Sequence, residues 1–274
     1  MVNGMQRKPR ECLICGHGMV WAFSKRFDCN GLTTADYWRC PNCGFVISGT
    51  HADMSPEQWE ALNRSCHQSY QGSDCNPGDP RWLSRLSSQA RVISDCVRIG
   101  LLRADVDWID YACGDGKLSE LVAQSGHRLG KYDKYMAHED GYLSDASLVA
   151  GSFGFVITTS VFEHLTRREH FDTISDLVGA KGVMGLHTLV RERVPDDPSW
   201  FYFSPPHCAF HTNKSMQILF EQWGYQSSVY EVDSRLWLWF RDDAGVEAIV
   251  RKANTRNRGI TYCYKRGFMN YWKE

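Results

Sequence analysis

A chain of 274 residues is long enough to bury a full hydrophobic core, either as one large domain with an appendage or as two domains. Hydrophobic residues make up 43% of the chain and charged residues 23%, which excludes a protein that is disordered throughout. The formal net charge of -1 excludes a global field that would steer the protein to nucleic acid or to an anionic membrane.

No run of about 18 apolar residues occurs, and no apolar segment follows the basic N-terminus, so we expect a cytoplasmic protein without membrane contact. Eleven cysteines could indicate a secreted disulfide scaffold. The count is odd, however, the chain is long, and four of the cysteines form two C-x-x-C pairs. Reduced thiols that bind a metal are therefore the better interpretation.

Two similar C-x-x-C-G motifs define a first unit over residues 1–52. Cys12 and Cys15 belong to one motif, and Cys40 and Cys43 belong to the other. Each motif turns sharply and directs two sulfurs to one centre, so the pair offers four thiolates to tetrahedral Zn²⁺. Four protein ligands leave no open position, and we predict a structural zinc ion in a small N-terminal zinc ribbon. A disulfide or a redox pair is the alternative interpretation.

Residues 53–103 have the pattern of a helical linker or lid segment. Ser55 precedes Pro56, which places a capping residue before a proline at the first helical position. A loop rich in Gly, Asn and Pro interrupts the helical pattern at 72–80. Apolar side chains then recur at three- and four-residue spacing, which predicts a second helix that packs on a sheet. These side chains are Trp82, Leu83, Leu86, Ala90, Ile93 and Val97.

Short apolar runs alternate with helix-like segments over residues 104–243. Strand followed by helix, repeated, predicts an α/β fold in which helices cover both faces of a parallel sheet. The last two runs are close enough to form an antiparallel hairpin. The apolar runs lie at 106–111, 128–133, 153–160, 182–190, 226–232 and 235–241, and the helix-like segments lie at 116–125, 167–179 and 213–223.

A glycine-rich turn joins the first of these runs to the segment that follows, from Asp110 to Gly116. Gly114 and Gly116 permit a tight turn and a close approach of the backbone to a ligand. Asp133 ends the next apolar run, where a carboxylate can accept both hydroxyls of a ribose. The pattern indicates a nucleotide-like cofactor, and the turn alone would fit a dehydrogenase equally well.

The chain resembles the class I S-adenosylmethionine-dependent methyltransferases over roughly residues 70–241. Segments 109–118, 153–165 and 177–190 resemble the family's first motif, its fourth-strand motif and its fifth strand, in that order. The family usually has glycine where this chain has Ala112. The resemblance implies a Rossmann-like, mostly parallel seven-stranded sheet with helices on both faces, to which the zinc ribbon is appended.

The resemblance also implies how S-adenosylmethionine binds. Asp110 would pair with the methionine amino group, and Asp133 would accept the ribose hydroxyls. Asp145 would accept a hydrogen bond from the adenine amino group, or else cap a loop. Tyr70 would close over the methionine carboxylate, or else pack against the core, while the backbone at Ser160 would pass beneath the sulfonium. The full set is Asp110, Ala112, Gly114, Gly116, Asp133, Asp145, Ser160 and Tyr70.

In the resembling family the loop after the fifth strand faces the substrate, and here it contains His207. Methyl transfer is an in-line displacement, which needs a base only where the acceptor must lose a proton. A loop histidine titrates near neutral pH, so His207 is the candidate general base. The alternative is that His207 only orders the loop by hydrogen bonding. We expect residues 195–211 to form a lid or a wall of the acceptor site.

The leading functional hypothesis is a methyltransferase that acts on a sugar-like or secondary-metabolite acceptor. A zinc ribbon before such a core resembles the deoxysugar C-methyltransferases of antibiotic pathways. Those enzymes have a further C-terminal domain, which this chain is too short to hold, and commonly a Glu where Pro206 stands. Neither the acceptor atom nor the oligomeric state follows from the sequence.

Two other hypotheses stay open. Basic and aromatic residues alternate in a C-terminal extension at 244–274, as an RNA methyltransferase would need for backbone and stacking contacts. A solvated basic tail is the simpler explanation of that extension. The third hypothesis is a non-catalytic partner protein that keeps the fold and docks through its zinc ribbon.

Overall fold

The computed structural model describes residues 8–29, 31–68, 80–135, 141–256 and 259–270, so Tyr70 lies outside the described residues. The helices are α1 Gly49–Ala52, α2 Pro56–Gln68, α3 Pro80–Ile99, α4 Lys117–Ala123, α5 Arg168–Asp176, α6 Asn213–Gln222 and α7 Val246–Arg256. The strands are β1 Val20–Cys29, β2 Leu32–Arg39, β3 Val46–Ser48, β4 Trp108–Tyr111, β5 Gly130–Tyr132, β6 Phe153–Thr159, β7 Val178–His187, β8 Val190–Arg191, β9 Ala209–Thr212, β10 Ser227–Glu231, β11 Leu236–Phe240 and β12 Tyr262–Arg266. None of the described helices is both long enough and apolar enough to span a bilayer.

A seven-stranded sheet lies at the centre of the molecule, in the order β12-β10-β11-β7-β6-β4-β5. The strands β5, β4, β6 and β7 are parallel neighbours. β11 pairs antiparallel with β7 and with β10, so β10 and β11 form the predicted hairpin. β12 pairs antiparallel with β10. Only β11 and β12 oppose the other strands, and the predicted Rossmann-like, mostly parallel sheet is confirmed.

Helices cover both faces of this sheet. Successive residues of a strand point to opposite faces, so each strand packs against helices on both sides. On β6, Phe155 and Ile157 pack with α3, α4 and α7, whereas Val156 packs with α5 and α6. On β11, Trp237 and Trp239 are fully buried on the side of α5 and α6. The structure thus confirms the predicted helices on both faces of the sheet.

The sequence pattern did not predict how the two edges of the sheet are formed. At one edge the C-terminal extension contributes β12, where Tyr262 and the nearby Phe268 are buried. Alternating basic and aromatic residues fit a half-exposed edge strand as well as they fit a binding surface. Beyond β5, at the other edge, the chain makes a single parallel bridge, between Lys131 and Tyr142.

A five-stranded sheet, β1-β2-β3-β9-β8, joins the N-terminal unit to the chain that follows β7. β1 and β2 form an antiparallel hairpin between the two cysteine motifs. β3 pairs with β9, where Val46 lies opposite Phe210 and Ile47 lies opposite Ala209. The sheet therefore contains strands from both sides of residue 52, and the cysteine-rich unit shares it with the segment at 190–212.

An aromatic cluster holds the loop after β8 against this second sheet. Phe23 and Tyr37 of the hairpin stack with 4.9 Å between ring centroids. Phe203 of the loop packs edge-on against Phe23 at 4.9 Å and against Phe210 at 4.6 Å. Phe203 is buried, whereas Phe201 is 74% exposed. The dense aromatic run at 200–203 is thus divided between the core and the surface.

Candidate functional site

The residues assigned to a cofactor meet at the carboxyl ends of the parallel strands. The chain leaves β4 through α4 to β5 on one side and then crosses to β6 on the other side of β4. Such a reversal of connections leaves a crevice, which is where open α/β sheets bind ligands. Asp110 lies near the end of β4, Asp133 follows β5, and Ser160 follows β6.

The turn after β4 has a left-handed backbone. Ala112, Gly114 and Gly116 have φ angles of 58°, 57° and 76°. This region suits glycine and costs a residue with a Cβ about 1–2 kcal/mol. The backbone angle therefore makes Ala112 a strained position at which glycine would fit better. A Cβ on Gly116 would lie 2.4 Å from Cδ of Lys131, so space as well as conformation favours glycine there.

The Asp110 side chain is buried, with 2% of its surface exposed, at the base of this turn. Burial raises the pKa of its carboxyl group to about 8, and the charges of Asp133 and Asp115 add to the shift. Within the described ranges, no group donates a hydrogen bond to this carboxyl group. A buried carboxyl group without a donor fits a ligand that supplies an ammonium group.

Asp133 connects the glycine turn to the end of β5. Its Oδ2 accepts a hydrogen bond from the N–H of Gly114 at 3.0 Å, and its Oδ1 accepts one from the N–H of Tyr135 at 2.9 Å. Each carboxylate oxygen has two lone pairs, so both oxygens keep capacity for a further donor. Asp133 can therefore hold the turn and still accept hydroxyl groups of a ligand.

Asp145 lies at the rim of the same crevice. It begins a short 3-10 turn at 145–147, and its Oδ1 accepts a hydrogen bond from the Tyr132 hydroxyl at 2.9 Å. The Tyr132 ring lies 5.1 Å from the Tyr111 ring between centroids. The Tyr142 hydroxyl donates to the carbonyl of Gly114 at 2.8 Å. Aromatic rings and a carboxylate thus border the turn on the side of β5.

Ser160 is a second strained position at the crevice, with a φ angle of 57°. Its N–H donates to the carbonyl of His187, at the end of β7, at 2.8 Å. Its hydroxyl accepts a hydrogen bond from the Arg85 guanidinium at 3.4 Å. Strained residues that their neighbours hold in place are typical of functional sites.

Arg85 is a site residue that the sequence pattern does not single out. It extends from α3 to Ser160, and its buried Nε has no partner in the described part of the chain. The available signal was its place in α3, between Trp82 and Leu86 on the apolar side of the helix. A cation in an apolar stripe needs an acceptor, and here it faces the crevice.

His207 lies beside Glu163 and His164, which follow β6. The rings of His164 and His207 are 4.9 Å apart between centroids. The carbonyl of Tyr202 accepts a hydrogen bond from Nδ1 of His207 at 2.9 Å, and the carbonyl of Pro206 accepts one from Nδ1 of His164 at 2.9 Å. A carbonyl can only accept, so Nδ1 carries the hydrogen in both rings and Nε2 carries the lone pair.

Burial lowers the pKa of His207, and the negative charge of Glu163 opposes that shift. The imidazole is therefore neutral at pH 7 and able to accept a proton at Nε2. The hydrogen bond to the carbonyl of Tyr202 also orders the loop, so the geometry accommodates both roles considered for His207.

Glu163 is a buried carboxylate that connects three segments of the chain. Its Oε1 accepts from the Tyr202 hydroxyl at 2.7 Å, and its Oε2 accepts from the Thr188 hydroxyl at 2.9 Å. Burial opposes ionisation, but the positive charges that His164 and His207 carry when protonated at low pH, together with the Tyr202 hydroxyl, outweigh it and lower the pKa of Glu163 to about 2. Both Glu163 and His164 lie in the segment 153–165 that resembles the fourth-strand motif, and the fold brings both to His207.

The four cysteines of the N-terminal motifs form one cluster. Sγ of Cys12 lies 3.6 Å from Sγ of Cys43, and Sγ of Cys15 lies 3.4 Å from Sγ of Cys40. A tetrahedral zinc ion with bonds of about 2.3 Å sets its sulfurs about 3.8 Å apart. All four sulfurs lie within 4.8 Å of one another, so the donor set and its spacing fit zinc.

The cysteine cluster is attached to the central fold. Arg168 of α5 donates to the carbonyls of Leu13 and Ile14 at 3.2 and 3.3 Å, and the Thr212 hydroxyl before α6 donates to the carbonyl of Cys43. Cys12, Cys40 and Cys43 share one buried cluster with side chains of α5 and α6. The cysteine-rich unit therefore packs as part of the core.

Some residues of the C-terminal segment considered for RNA binding are engaged within the protein. Tyr262 and Phe268 are 2% and 4% exposed, so their rings cannot stack on bases. Arg251 pairs with Glu247 at 2.8 Å, and the Tyr264 hydroxyl donates to Asp243. The segment supplies the helix α7 and the edge strand β12.

No protein-family model matches the sequence, and no curated protein matches it either. Among solved structures, the fold is similar to that of 1,6-didemethyltoxoflavin-N1-methyltransferase from Burkholderia thailandensis, with a TM-score of 0.46 and 11% identity over 79% of this chain and 97% of that chain. It is also similar to magnesium protoporphyrin IX methyltransferase from Synechocystis PCC 6803, with a TM-score of 0.43 and 15% identity over 66% and 94% of the two chains. An O-methyltransferase family protein from Burkholderia thailandensis has a TM-score of 0.46 and 16% identity over 67% and 64%. The class of the fold itself follows from the strand order described above.

Proposed function

We propose that the protein is an S-adenosylmethionine-dependent methyltransferase that acts on a small-molecule acceptor. The observation that carries the proposal is the buried carboxyl group of Asp110, which has no donor in the described part of the chain and lies at the crevice with Asp133. An ammonium group would satisfy Asp110, and a pair of hydroxyls would suit Asp133. S-adenosylmethionine carries both groups.

Further residues of the crevice would complete the cofactor site. Arg85 would pair with the methionine carboxylate, because its Nε has no partner among the described residues. Asp145 would accept from the adenine amino group beside the Tyr132 ring. The left-handed backbone from Ala112 to Gly116 leaves room for the methionine portion to approach the chain closely.

The acceptor would lie between this crevice and the loop at 195–211. When bound, S-adenosylmethionine supplies a methyl group on a positively charged sulfur. The protein aligns the acceptor and, where the acceptor carries an acidic proton, removes it. His207 is the proposed general base, because the carbonyl of Tyr202 fixes its tautomer and leaves the Nε2 lone pair for the acceptor proton.

We infer that Cys12, Cys15, Cys40 and Cys43 bind a structural zinc ion. The inference is supported by the sulfur spacing and by the closed set of four protein ligands. Burial raises the pKa of Cys40, so a compensating cation is needed for its thiolate form. The ion would hold the N-terminal motifs against α5 and α6, away from the transfer reaction.

Titration calorimetry with S-adenosylmethionine tests the proposal. We expect one cofactor to bind per chain, and binding by Asp110→Asn to be about 10-fold to 100-fold weaker, because a charge-assisted hydrogen bond is lost. The matched control is Asp105→Asn, at an exposed carboxylate that precedes β4 and lies outside the turn, which should bind as the wild type does. An intact fold that binds no cofactor would overturn the proposal and favour a non-catalytic protein that docks through its cysteine-rich unit.

The same titration has a signature in proton release. In the free protein the Asp110 carboxyl group is largely protonated at pH 7, since its pKa is raised to about 8. Pairing with an ammonium group lowers that pKa, so binding at pH 7 should release a proton. Buffers with different ionisation enthalpies measure this proton, and it should be absent in Asp110→Asn.

The role of His207 is tested by turnover with radiolabelled S-adenosylmethionine on a panel of hydroxylated and amino small molecules. Where an acceptor must lose a proton, His207→Gln should lower the rate by about 10²-fold to 10⁴-fold while cofactor binding stays intact. His127→Gln, at a half-buried histidine outside the cluster, is the control. An unchanged rate in His207→Gln would leave His207 with the loop-ordering role alone.

A further inference from the structure

Glu163, His164 and His207 form a second cluster with the donor set of a metal site. A ring nitrogen of each histidine and a carboxylate oxygen of Glu163 lie within 4.8 Å of one another. Over the described ranges, this cluster and the four cysteines are the two places where three or more possible ligands meet. Two imidazoles and one carboxylate differ in kind from four thiolates, so the two clusters would select different ions.

The fold holds both imidazoles in the orientation that metal-binding histidines adopt. Nδ1 of His164 donates to the carbonyl of Pro206, and Nδ1 of His207 donates to the carbonyl of Tyr202. Histidines that bind a metal usually donate their other ring N–H to such an acceptor, which fixes the tautomer and strengthens the ligand. Both carbonyls belong to one turn at 202–206, so a single loop positions both rings.

The carboxylate of Glu163 is held by neutral donors. The hydroxyls of Tyr202 and Thr188 each donate to one of its oxygens, and each oxygen retains a lone pair. No lysine or arginine of the described chain forms an ion pair with Glu163, although only 2% of its surface is exposed. A buried carboxylate with neutral donors is stabilised strongly when a cation lies beside it.

The distances require only a small adjustment for the three residues to share one ion. Two ligands of the same ion are at most about 4.2 Å apart, because each bond to nitrogen or oxygen is about 2.1 Å long. The present separations reach no further than 4.8 Å. The difference of about 0.6 Å is small enough for slight shifts of the three side chains that keep the two Nδ1 hydrogen bonds in place.

We propose that Glu163, His164 and His207 bind one divalent transition-metal ion, such as Mn²⁺, Fe²⁺, Co²⁺ or Zn²⁺. Imidazole nitrogen favours these ions over Mg²⁺ and Ca²⁺, which prefer oxygen ligands. Three protein ligands would leave coordination positions open for an exogenous ligand.

The catalytic consequence rests on the proposed methyltransferase function, whereas the binding of the ion does not. An open position would take an oxygen of the acceptor, so the acceptor class would be molecules with a hydroxyl or carboxylate oxygen next to the methylated position. With the ion bound, Nε2 of His207 would be a ligand, and the ion would supply Lewis-acid activation of the acceptor in place of the general base described above.

Titration with Mn²⁺, followed by the electron paramagnetic resonance signal of free Mn²⁺, tests the metal site. The protein is first loaded with one zinc ion per chain, so that the cysteine cluster is filled. We expect one Mn²⁺ per chain to bind, and His164→Gln and His207→Gln each to weaken binding by at least about 10-fold. His170→Gln, at an exposed histidine of α5, is the matched control and should bind as the wild type does.

Melting temperature and zinc content show whether each variant keeps its fold. We also expect Mn²⁺ to raise the melting temperature of the wild type but not that of Glu163→Gln. If His164→Gln or His207→Gln unfolds, this difference in melting temperature replaces that variant as evidence. Wild type that binds neither Mn²⁺ nor Co²⁺ beyond its zinc, or glutamine variants that bind like the wild type, would overturn the metal site. Parallel titration with S-adenosylmethionine separates the two proposals, because cofactor binding without Mn²⁺ refutes only the metal site and Mn²⁺ binding without cofactor refutes only the methyltransferase.

Discussion

Ala112 has a left-handed backbone although it carries a Cβ, at a turn that the cofactor would approach. Its φ angle of 58° lies in a region that costs an L-residue about 1–2 kcal/mol. Ser160, on the opposite side of the crevice, also has a left-handed backbone, with a φ angle of 57°. Strain at both sides of a binding crevice indicates that the surrounding fold, and not local preference, determines the shape of the site.

Ala112→Gly should therefore stabilise the protein. Glycine removes the conformational cost of about 1–2 kcal/mol but adds about 0.5–1 kcal/mol of unfolded-state entropy, so we expect a net gain of about 0.5–1 kcal/mol. Urea denaturation measures it. The control Ala253→Gly, in the interior of α7, should destabilise the protein by about 1 kcal/mol or more. Equal losses in both variants would show that the turn is unstrained.

Among individual residues, the sequence predicted those site residues that a pattern of neighbouring residues identifies. Asp110 and Asp133 were recognisable because each ends an apolar run, and the structure places both at one crevice. Arg85 and His164 were not singled out, because their meaning depends on which side chains approach them from distant parts of the chain. The cofactor and catalytic roles of the predicted residues stay predictions.

Among the elements, the segment at 190–212 connects most of the others. It supplies β8 and β9 to the second sheet, Phe203 to the aromatic cluster, and Tyr202 and His207 to the site around Glu163. The resemblance implied a loop that faces the acceptor, and the dense aromatic residues of this segment gave no sign of strand pairing with the N-terminal unit. Pairing between β3 and β9 depends on two segments far apart in sequence.

Tyr202→Phe tests how far this segment depends on the buried carboxylate. The substitution removes a hydrogen bond to a charged group, so we expect a loss of about 1.5–3 kcal/mol in the free energy of unfolding. Guanidinium denaturation at pH 7 measures the loss. The matched control is Tyr264→Phe. The Tyr264 hydroxyl donates a hydrogen bond to Asp243, which is only partly buried, and its removal should lower the free energy of unfolding by less than about 1 kcal/mol. A loss in Tyr202→Phe no greater than that in the control would contradict the proposed link.

For the molecule as a whole, the cysteine-rich unit and the central fold form one hydrophobic core. The cysteine cluster packs on α5 and α6, and the second sheet contains strands from the N-terminal unit and from the segment at 190–212. A ligand that stabilises one part of such a core stabilises all of it. Zinc at the cysteines would therefore support the crevice as well.

Loss of the zinc site should lower the stability of the entire protein in one step. We expect Cys40→Ser to reduce the melting temperature by roughly 10 °C, with a single calorimetric transition, because removal of a structural metal costs several kcal/mol. Cys66→Ser, at a half-buried cysteine outside the cluster, should change it little. Two separate transitions would instead show that the first unit folds independently.

Local patterns were enough to predict the cysteine motifs, the glycine turn, the β10–β11 hairpin and the α/β class. Each of these depends on the spacing of a few neighbouring residues, which sets turn geometry, ligand direction or the hydrophobic face of an element. Only the tertiary structure brings Arg85 to Ser160, joins β3 to β9, and assembles Glu163, His164 and His207. These contacts come from packing between distant segments, where the burial of apolar surface selects the partners and no local spacing records them.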